Sequence, residues 1–226
     1  MQDFVSPDGT PGIDNSFARL RPALDQTEAS ALEQIVLEAI HAGGLLAMVQ
    51  LDGVGEDHQN DECVDLTVTS GLGLPMVGND GWLLPGQTFE RDPDAPLSTV
   101  PGARIEQGVL EDGPIDLMLP FQFLDADVVF TLQEGRIRLD FSDPEVVRGT
   151  IGGGVAIQEL KDLAANTGID QTVEDLLDAV LGLNADLGPD EMGTCQRISI
   201  TLEVEAVQAF WYEGCLLYTS PSPRDS

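Results

Sequence analysis

The sequence predicts an α+β fold weighted to β. We expect a mainly antiparallel sheet, either a sandwich or a curved sheet, with an N-terminal helix and two helices before the last strand. Several segments alternate apolar and polar residues, which is typical of strands with one buried and one solvated face. Three other segments repeat apolar residues at helical spacing. No internal repeat or long linker divides the chain, so residues 1–214 are expected to form a single acidic domain.

The N-terminal helix is predicted between residues 25 and 44. Asp25 and Glu28 have the spacing of a capping box, and Gly43 with Gly44 is expected to end the helix. A second, shorter helix is predicted before it, over residues 16–24. The apolar residues of the longer helix follow the i, i+3, i+4, i+7, i+8 pattern of one buried face: Leu32, Ile35, Val36, Ala39 and Ile40.

Strands are predicted from residue 45 onward, first over 45–51 and 64–69. Asn79-Asp80-Gly81 predicts a turn ahead of Trp82-Leu83-Leu84. A hairpin is predicted over residues 128–141, with its turn at Glu134-Gly135. Residues 85–102 contain four prolines and several acidic residues, which predicts a long surface loop. A long strand with one apolar face is predicted from these residues: Ile115, Leu117, Leu119, Phe121 and Phe123.

The two later helices are predicted around residues 157–163 and 173–181. The glycine-rich stretch 149–154 is expected between a strand and a helix, and a bulge or a close helix–sheet approach explains it better than a phosphate-binding loop, because the glycine spacing of such loops is not met. The last strand is predicted over residues 198–206, which alternate regularly between apolar and polar.

The charge of the chain limits its partners. There are 40 acidic residues against 10 basic ones, a formal net charge of -30. Such a surface repels phosphate groups, so nucleic acid is excluded as an expected partner and anionic membranes are disfavoured. Cations or a basic protein partner would relieve the repulsion. No stretch approaches the roughly 20 apolar residues of a bilayer-spanning helix, and no signal peptide is visible at the start.

Acidic loops are the candidate metal sites, because Ca²⁺ takes several oxygen ligands from flexible loops. One candidate loop covers residues 8–15 and another covers residues 52–62; a weaker one covers 184–191. The alternatives are that Asp14 or Asn15 caps the following helix, and that the second loop is a solvated hairpin tip. The expected ligands are Asp8, Asp14, Asn15, Asp52, Asp57 and Asp61.

The last twelve residues, 215–226, break with the preceding pattern. Acidic residues almost vanish there, and the segment resembles translated sequencing-adapter read-through, so we expect a non-native tail. A genuine Ser/Pro tail is the alternative. The N-terminus is open to the same kind of truncation.

Excluding this tail leaves two cysteines, Cys63 and Cys195. They are expected to form one disulfide if the protein resides in an oxidising compartment. The alternative is a pair of buried free thiols that behave as small hydrophobic residues.

Catalytic signatures are weak. His41 and His58 are the two histidines of the sequence, which excludes a three-histidine zinc site, and no G-x-S-x-G motif occurs. We therefore expect a non-catalytic domain. One alternative is a secreted hydrolase that acts on glycan or ester through two carboxylates. The other alternative is a carrier that holds an apolar ligand against the row from Ile115 to Phe123.

Four stretches carry a family resemblance: SPDGTPGIDNSFARLRPAL, NDECVDL, GTIGGGVAIQELKDLA and CQRISITLEVEAV. Together they resemble a group of uncharacterised acidic exported proteins, some lipid-anchored, from myxobacteria-like bacteria. The resemblance implies an extracytoplasmic location, in the periplasm, at the cell surface or secreted, and loops rich in Asp and Gly. It implies no activity.

Overall fold

The computed structural model describes residues 15–20, 32–56, 59–123, 126–166 and 179–212, and it confirms a mostly β fold. Helix α1 spans Leu32–His41 and helix α2 spans Ile157–Asn166; a 3-10 turn covers Ser16–Leu20, and residues 179–184 are also helical. The strands are β1 (Ala47–Asp52), β2 (Asp61–Leu72), β3 (Gln87–Arg91), β4 (Ser98–Glu106), β5 (Val109–Phe123), β6 (Ala126–Asp140), β7 (Val146–Ala156), β8 (Leu187–Pro189), β9 (Cys195–Val207) and β10 (Ala209–Trp211).

These strands form one mainly antiparallel sheet in the order β10-β3-β2-β4-β5-β6-β7-β9-β8, with β1 paired to β2. The pairing of β10 with β3 is parallel. Strands β9 and β10 lie far apart in this order, yet Gln208 alone separates them along the chain. The sheet must therefore curve until its distant strands approach one another.

The core lies where the apolar sides of the strands meet. Residues at alternate positions of β2, β5 and β6 point into it, as the alternating pattern predicted. In β9 the pattern holds for Ile198 and Ile200, whereas Leu202 is 38% exposed and Ser199 is buried. Removing apolar surface from water contributes about 25 cal/mol per Å², and this burial is the main force that holds the sheet in its curved form. The buried residues of these four strands include Val64, Leu66, Val68, Ile115, Leu117, Leu132, Ile137, Leu139, Ile198 and Ile200.

The predicted hairpin turn at Glu134-Gly135 is wrong. These residues lie inside β6, where the register shifts against both β5 and β7, so the turn-like sequence forms a β-bulge. Glu134 has a positive φ of 50°. A Cβ at Gly135 would lie 3.0 Å from the carbonyl oxygen of Ile115. The neighbouring strand thus leaves little room for a side chain at Gly135, and β6 pairs with β5 along most of its length instead of folding into a hairpin.

The predicted surface loop over residues 85–102 is also wrong. Residues 87–91 form β3 and residues 98–106 form β4. Gln87, Phe89, Ser98 and Val100 are buried, so these strands do alternate between inside and outside. The density of prolines obscured this alternation in the sequence, although two of the four lie in the short connection 92–97.

The glycine-rich stretch lies within β7 and not between a strand and a helix, and its close approach is to the neighbouring strand β6 instead of to a helix. A Cβ at Gly153 would lie 2.6 Å from Cγ of Leu132 on the neighbouring strand. Helix α1 ends where predicted, just before Gly43, and its predicted start lies outside the described residues. The same holds for the end of the short helix predicted over 16–24 and for most of the helix predicted over 173–181. No helix in the described part of the chain has the length and apolar character needed to cross a bilayer.

Candidate binding surface

Half of the predicted calcium ligands can be placed. Asn15 precedes the 3-10 turn, where its Oδ1 accepts a hydrogen bond from the Ala18 N–H at 3.1 Å. Its Nδ2 donates to the carbonyl oxygen of Thr201, also at 3.1 Å. This is the capping role that the sequence offered as the alternative to a metal site. Three of the six ligands lie outside the described residues: Asp8, Asp14 and Asp57.

Asp52 and Asp61 lie at the two ends of the loop between β1 and β2. The Asp61 carboxylate accepts hydrogen bonds from the Gly55 N–H at 2.6 Å and the Cys63 N–H at 3.1 Å. These bonds, led by the one from Gly55, lower the pKa of Asp61. Asp52 accepts from the Gln50 amide at 2.8 and 2.9 Å. The described residues hold no group of three or more His, Cys, Asp or Glu arranged for a metal; calcium binding stays a prediction.

Cys63 and Cys195 are free thiols in this structure, the first exposed and the second half-buried. Cys63 lies on β2 and Cys195 on β9, and the order of the sheet places β4, β5, β6 and β7 between those strands. Since neither side chain is fully buried, neither matches the alternative of a buried hydrophobic thiol. The disulfide stays a prediction.

A buried hydroxyl cluster ties the 3-10 turn to β9. The Asp186 carboxylate accepts hydrogen bonds from the hydroxyls of Ser16 and Ser199, each at 2.6 Å, and from the Ser199 N–H at 2.8 Å. The Ser16 N–H donates in turn to the Ser199 hydroxyl at 2.9 Å. Every oxygen of the cluster is used in these bonds, so the arrangement serves structure. Sequence reasoning missed it because the three residues lie far apart in the chain.

An exposed apolar hairpin connects β2 to β3. The Leu84 N–H donates to the Met76 carbonyl at 3.1 Å, and the Gly78 N–H donates to the Trp82 carbonyl at 2.8 Å. This register places Met76, Trp82 and Leu84 on one side of the ribbon, which we call the hairpin face. Their side chains are 60%, 60% and 42% exposed, respectively.

Gln87 fixes the base of this hairpin. Its side chain is buried, and its Oε1 accepts a hydrogen bond from the Met76 N–H at 2.5 Å. Its Nε2 donates to the carbonyl oxygens of Met76 at 3.0 Å and Leu84 at 2.6 Å. One buried amide thus satisfies backbone groups on both strands of the hairpin, and it fixes the position of the hairpin face.

The C-terminal end of α1 supports the tip of the hairpin. Nε2 of His41 lies 3.1 Å from the carbonyl oxygen of Gly81. Gly43, just beyond the helix, has a φ of 75°, and a Cβ there would overlap the carbonyl oxygen of Gly73. The helix end and the start of the hairpin are therefore in direct backbone contact.

The stretch of sequence that contains the hairpin has no basic residues. No Lys or Arg occurs between Arg21 and Arg91, whereas acidic residues recur throughout that stretch. Within the hairpin, Asp80 is the one charged residue, and it is exposed. The guanidinium of Arg91 is already engaged, because it lies 5.1 Å from the ring centroid of Trp211 and donates to Gln50 at 2.9 Å.

The hairpin face was missed in the sequence. Asn79-Asp80-Gly81 was interpreted as a turn, which is confirmed: the Gly81 N–H donates to the Gly78 carbonyl at 3.0 Å, and Gly81 has a φ of 87°. The available signal was the low charge of residues 72–87 in a chain rich in acids. The spacing of apolar residues along the sequence did not indicate this face, because its residues lie opposite each other across the turn and do not repeat along one strand.

Comparisons with protein-family models, with curated proteins and with solved structures gave no match for the chain.

Proposed function

We propose that the chain is a non-catalytic, extracytoplasmic binding domain that engages a protein partner through its hairpin face. The observation that carries this proposal is the exposure of Met76, Trp82 and Leu84 on a ribbon fixed by Gln87. Scattered single apolar residues are normal on protein surfaces, but a group that includes Trp on a preorganised support is typical of interaction sites.

The two alternatives from the sequence receive less support. A hydrolase needs carboxylates that converge in unlike environments. Burial raises the pKa of Glu159, which would suit an acid catalyst, but its Oε1 accepts the Thr131 N–H at 2.6 Å and so joins α2 to β6. A carrier needs an open apolar row, whereas Ile115 and Leu117 are buried in the core cluster.

Extracytoplasmic location and calcium stabilisation remain part of the proposal. The resemblance to exported acidic proteins supports the first. For the second, Asp52 and Asp61 bound the same loop, so Ca²⁺ there would join the ends of β1 and β2. We expect millimolar Ca²⁺, but not Mg²⁺, to raise the melting temperature, and Asp52→Asn to reduce the increase. An unchanged melting temperature in Ca²⁺ would remove the metal from the proposal.

The binding function is tested by capture with matched baits. The immobilised domain, its Trp82→Ala variant and its Leu183→Ala variant are exposed to the secreted and envelope proteins of the source organism. Leu183 is 85% exposed and lies in the helical residues 179–184, away from the hairpin in sequence. We expect a protein that the wild type and Leu183→Ala retain equally and Trp82→Ala does not. Equal retention by all three would contradict the proposal.

A further inference from the structure

The hairpin face lies in the part of the chain with the least internal charge compensation. Glu38 on α1 and Glu90 on β3 are exposed, as is Asp80 within the hairpin, and each belongs to an element that supports or forms the hairpin. No Lys or Arg lies between Arg21 and Arg91 to offset them. A partner that covers the apolar side chains would therefore meet Asp80 in the same ribbon, with Glu38 and Glu90 on the adjoining elements.

Three kinds of partner fail this requirement. A second copy of the chain would carry the same formal charge of -30 to the contact, and the two surfaces would repel each other. Nucleic acid and anionic lipid surfaces are repelled for the same reason. The remaining chemistry is apolar side chains flanked by basic ones.

We propose that the hairpin face docks a cationic amphipathic segment of a partner protein. The apolar side of that segment covers Met76, Trp82 and Leu84, and its Lys or Arg side chains lie among the carboxylates of Glu38, Asp80 and Glu90. This inference rests on the proposed function and specifies the partner. Apolar contact supplies the anchor, and the complementary charge steers the encounter and selects the partner.

A synthetic peptide of Leu and Lys, patterned as an amphipathic helix, is the probe. Its binding to the full chain is measured by titration calorimetry at physiological salt, beside a scrambled peptide of equal composition. We expect the patterned peptide to bind, the scrambled peptide to bind at least about tenfold more weakly, and Trp82→Ala to weaken the patterned peptide about tenfold, the size of a modest hot spot. Leu183→Ala should bind as the wild type does.

Charge is tested separately. Added NaCl should weaken the patterned peptide, and a charge-reversed peptide of Leu and Glu in the same pattern should not bind. Equal binding of the patterned and scrambled peptides would overturn the proposal, because the acidic surface alone would then explain the affinity. Insensitivity to Trp82→Ala would overturn it as well.

A lipid surface is the competing outcome. If the chain binds vesicles of zwitterionic phosphatidylcholine through Trp82 and does not bind the patterned peptide, the partner chemistry proposed here is wrong. Capture of a Trp82-dependent protein partner that lacks a cationic segment would likewise overturn this inference while leaving the binding function intact. Loss of both capture and peptide binding would overturn both.

Discussion

Two groups of strands in the sheet differ in whether their acidic residues are paired with arginines. On β5, β6, β7 and β9, arginines face acidic residues on neighbouring strands: Arg148 lies 2.9 Å from Glu205, its directly paired residue on β9, and Arg138 lies 3.5 Å from Glu111, its paired residue on β5. Residues 32–86, which include α1, β1, β2 and the hairpin, contain acidic residues and no Lys or Arg of their own; the neighbouring Arg91 on β3 donates to Gln50 on β1 and not to an acid. One region is compensated internally and the other is not.

This difference assigns different roles to exposed charge. Each exposed ion pair contributes at most about 1 kcal/mol, so the arginines of β6 and β7 mainly reduce repulsion across a packed sheet. The uncompensated region gains nothing comparable from its own residues. It also carries the hairpin face, so the apolar and the acidic side chains that the proposed partner would contact lie in the same region.

The largest expected effect is a loss of stability in the arginine-rich strands, where β7 packs closely against β6. Gly149 on β7 lies so close to β6 that a Cβ would overlap the carbonyl oxygen of Arg138 and lie 2.7 Å from Cδ2 of Leu139. Gly149→Ala should therefore lower the free energy of unfolding by about 3 kcal/mol, as overpacking does. Urea unfolding measures the change.

Gly182→Ala is the matched control, because a Cβ at Gly182 meets nothing within 4 Å and the residue lies in the helical segment 179–184. There, alanine should be neutral or stabilising by up to about 1 kcal/mol. A Gly149→Ala loss no larger than that of Gly182→Ala would mean that β6 and β7 are not packed as closely as described.

The next effect concerns Asp186, whose carboxylate accepts hydrogen bonds from two serine hydroxyls. Asp186→Ala removes the acceptor of Ser16 and Ser199 and leaves two buried hydroxyls to find new partners. We expect a loss of about 2 kcal/mol, together with faster hydrogen exchange at the Ser16 and Ser199 amides. Asp162→Ala, on the exposed side of α2, should change neither quantity by a comparable amount. Unchanged exchange in Asp186→Ala would show that the cluster does not hold the turn.

A smaller effect is expected at Glu159, whose pKa is raised by burial. Burial raises its pKa above the ordinary 4.5, against hydrogen bonds from Thr131 that lower it. The unfolded chain therefore ionises first, and stability falls as the pH rises from below 4.5 through the folded-state pKa. Glu159→Gln should remove this loss, so its advantage over the wild type appears at neutral pH and vanishes in acid. An advantage that is the same at all pH values would contradict the assignment.

The strand pattern could be predicted from the sequence because alternation reports which side of a strand is buried. Val64, Leu66 and Val68 are buried as predicted, and Ile198 and Ile200 likewise. Glu134-Gly135 was misplaced because a turn and a bulge require the same backbone freedom. Which one forms depends on a neighbouring strand, here β7, that local sequence does not identify.

The candidate site was hidden for a related reason. Trp82 and Leu84 read as an ordinary strand after a turn, and only the register of the hairpin shows that they share an exposed side with Met76. Gln87 likewise appeared in a stretch interpreted as loop, so its three hydrogen bonds to the hairpin had no sequence signal. A side chain is exposed when no other part of the chain packs against it, and a single sequence does not show which segments pack together.

The smallest expected effect tests the contrast most directly, through the pKa values of two aspartates. In Asp143 the pKa is lowered first by the Glu145 N–H and further by Arg148, which lies 3.3 Å from it. In Asp61 the backbone of Gly55 and Cys63 does this without any arginine. Arg148→Gln should therefore raise the pKa of Asp143 and leave that of Asp61 unchanged.

Carboxyl-carbon NMR titration of the variant and the wild type measures both groups at once. Because both pKa values lie below the ordinary 3.8, each carboxylate stabilises the fold above that pH, and its contribution is lost as the pH falls through the folded-state value. In Arg148→Gln the contribution of Asp143 should shrink while that of Asp61 persists. An equal rise at both aspartates would mean that the charge of Arg148 acts across the whole molecule, and the hairpin region would then not be electrostatically separate from the arginine-rich strands.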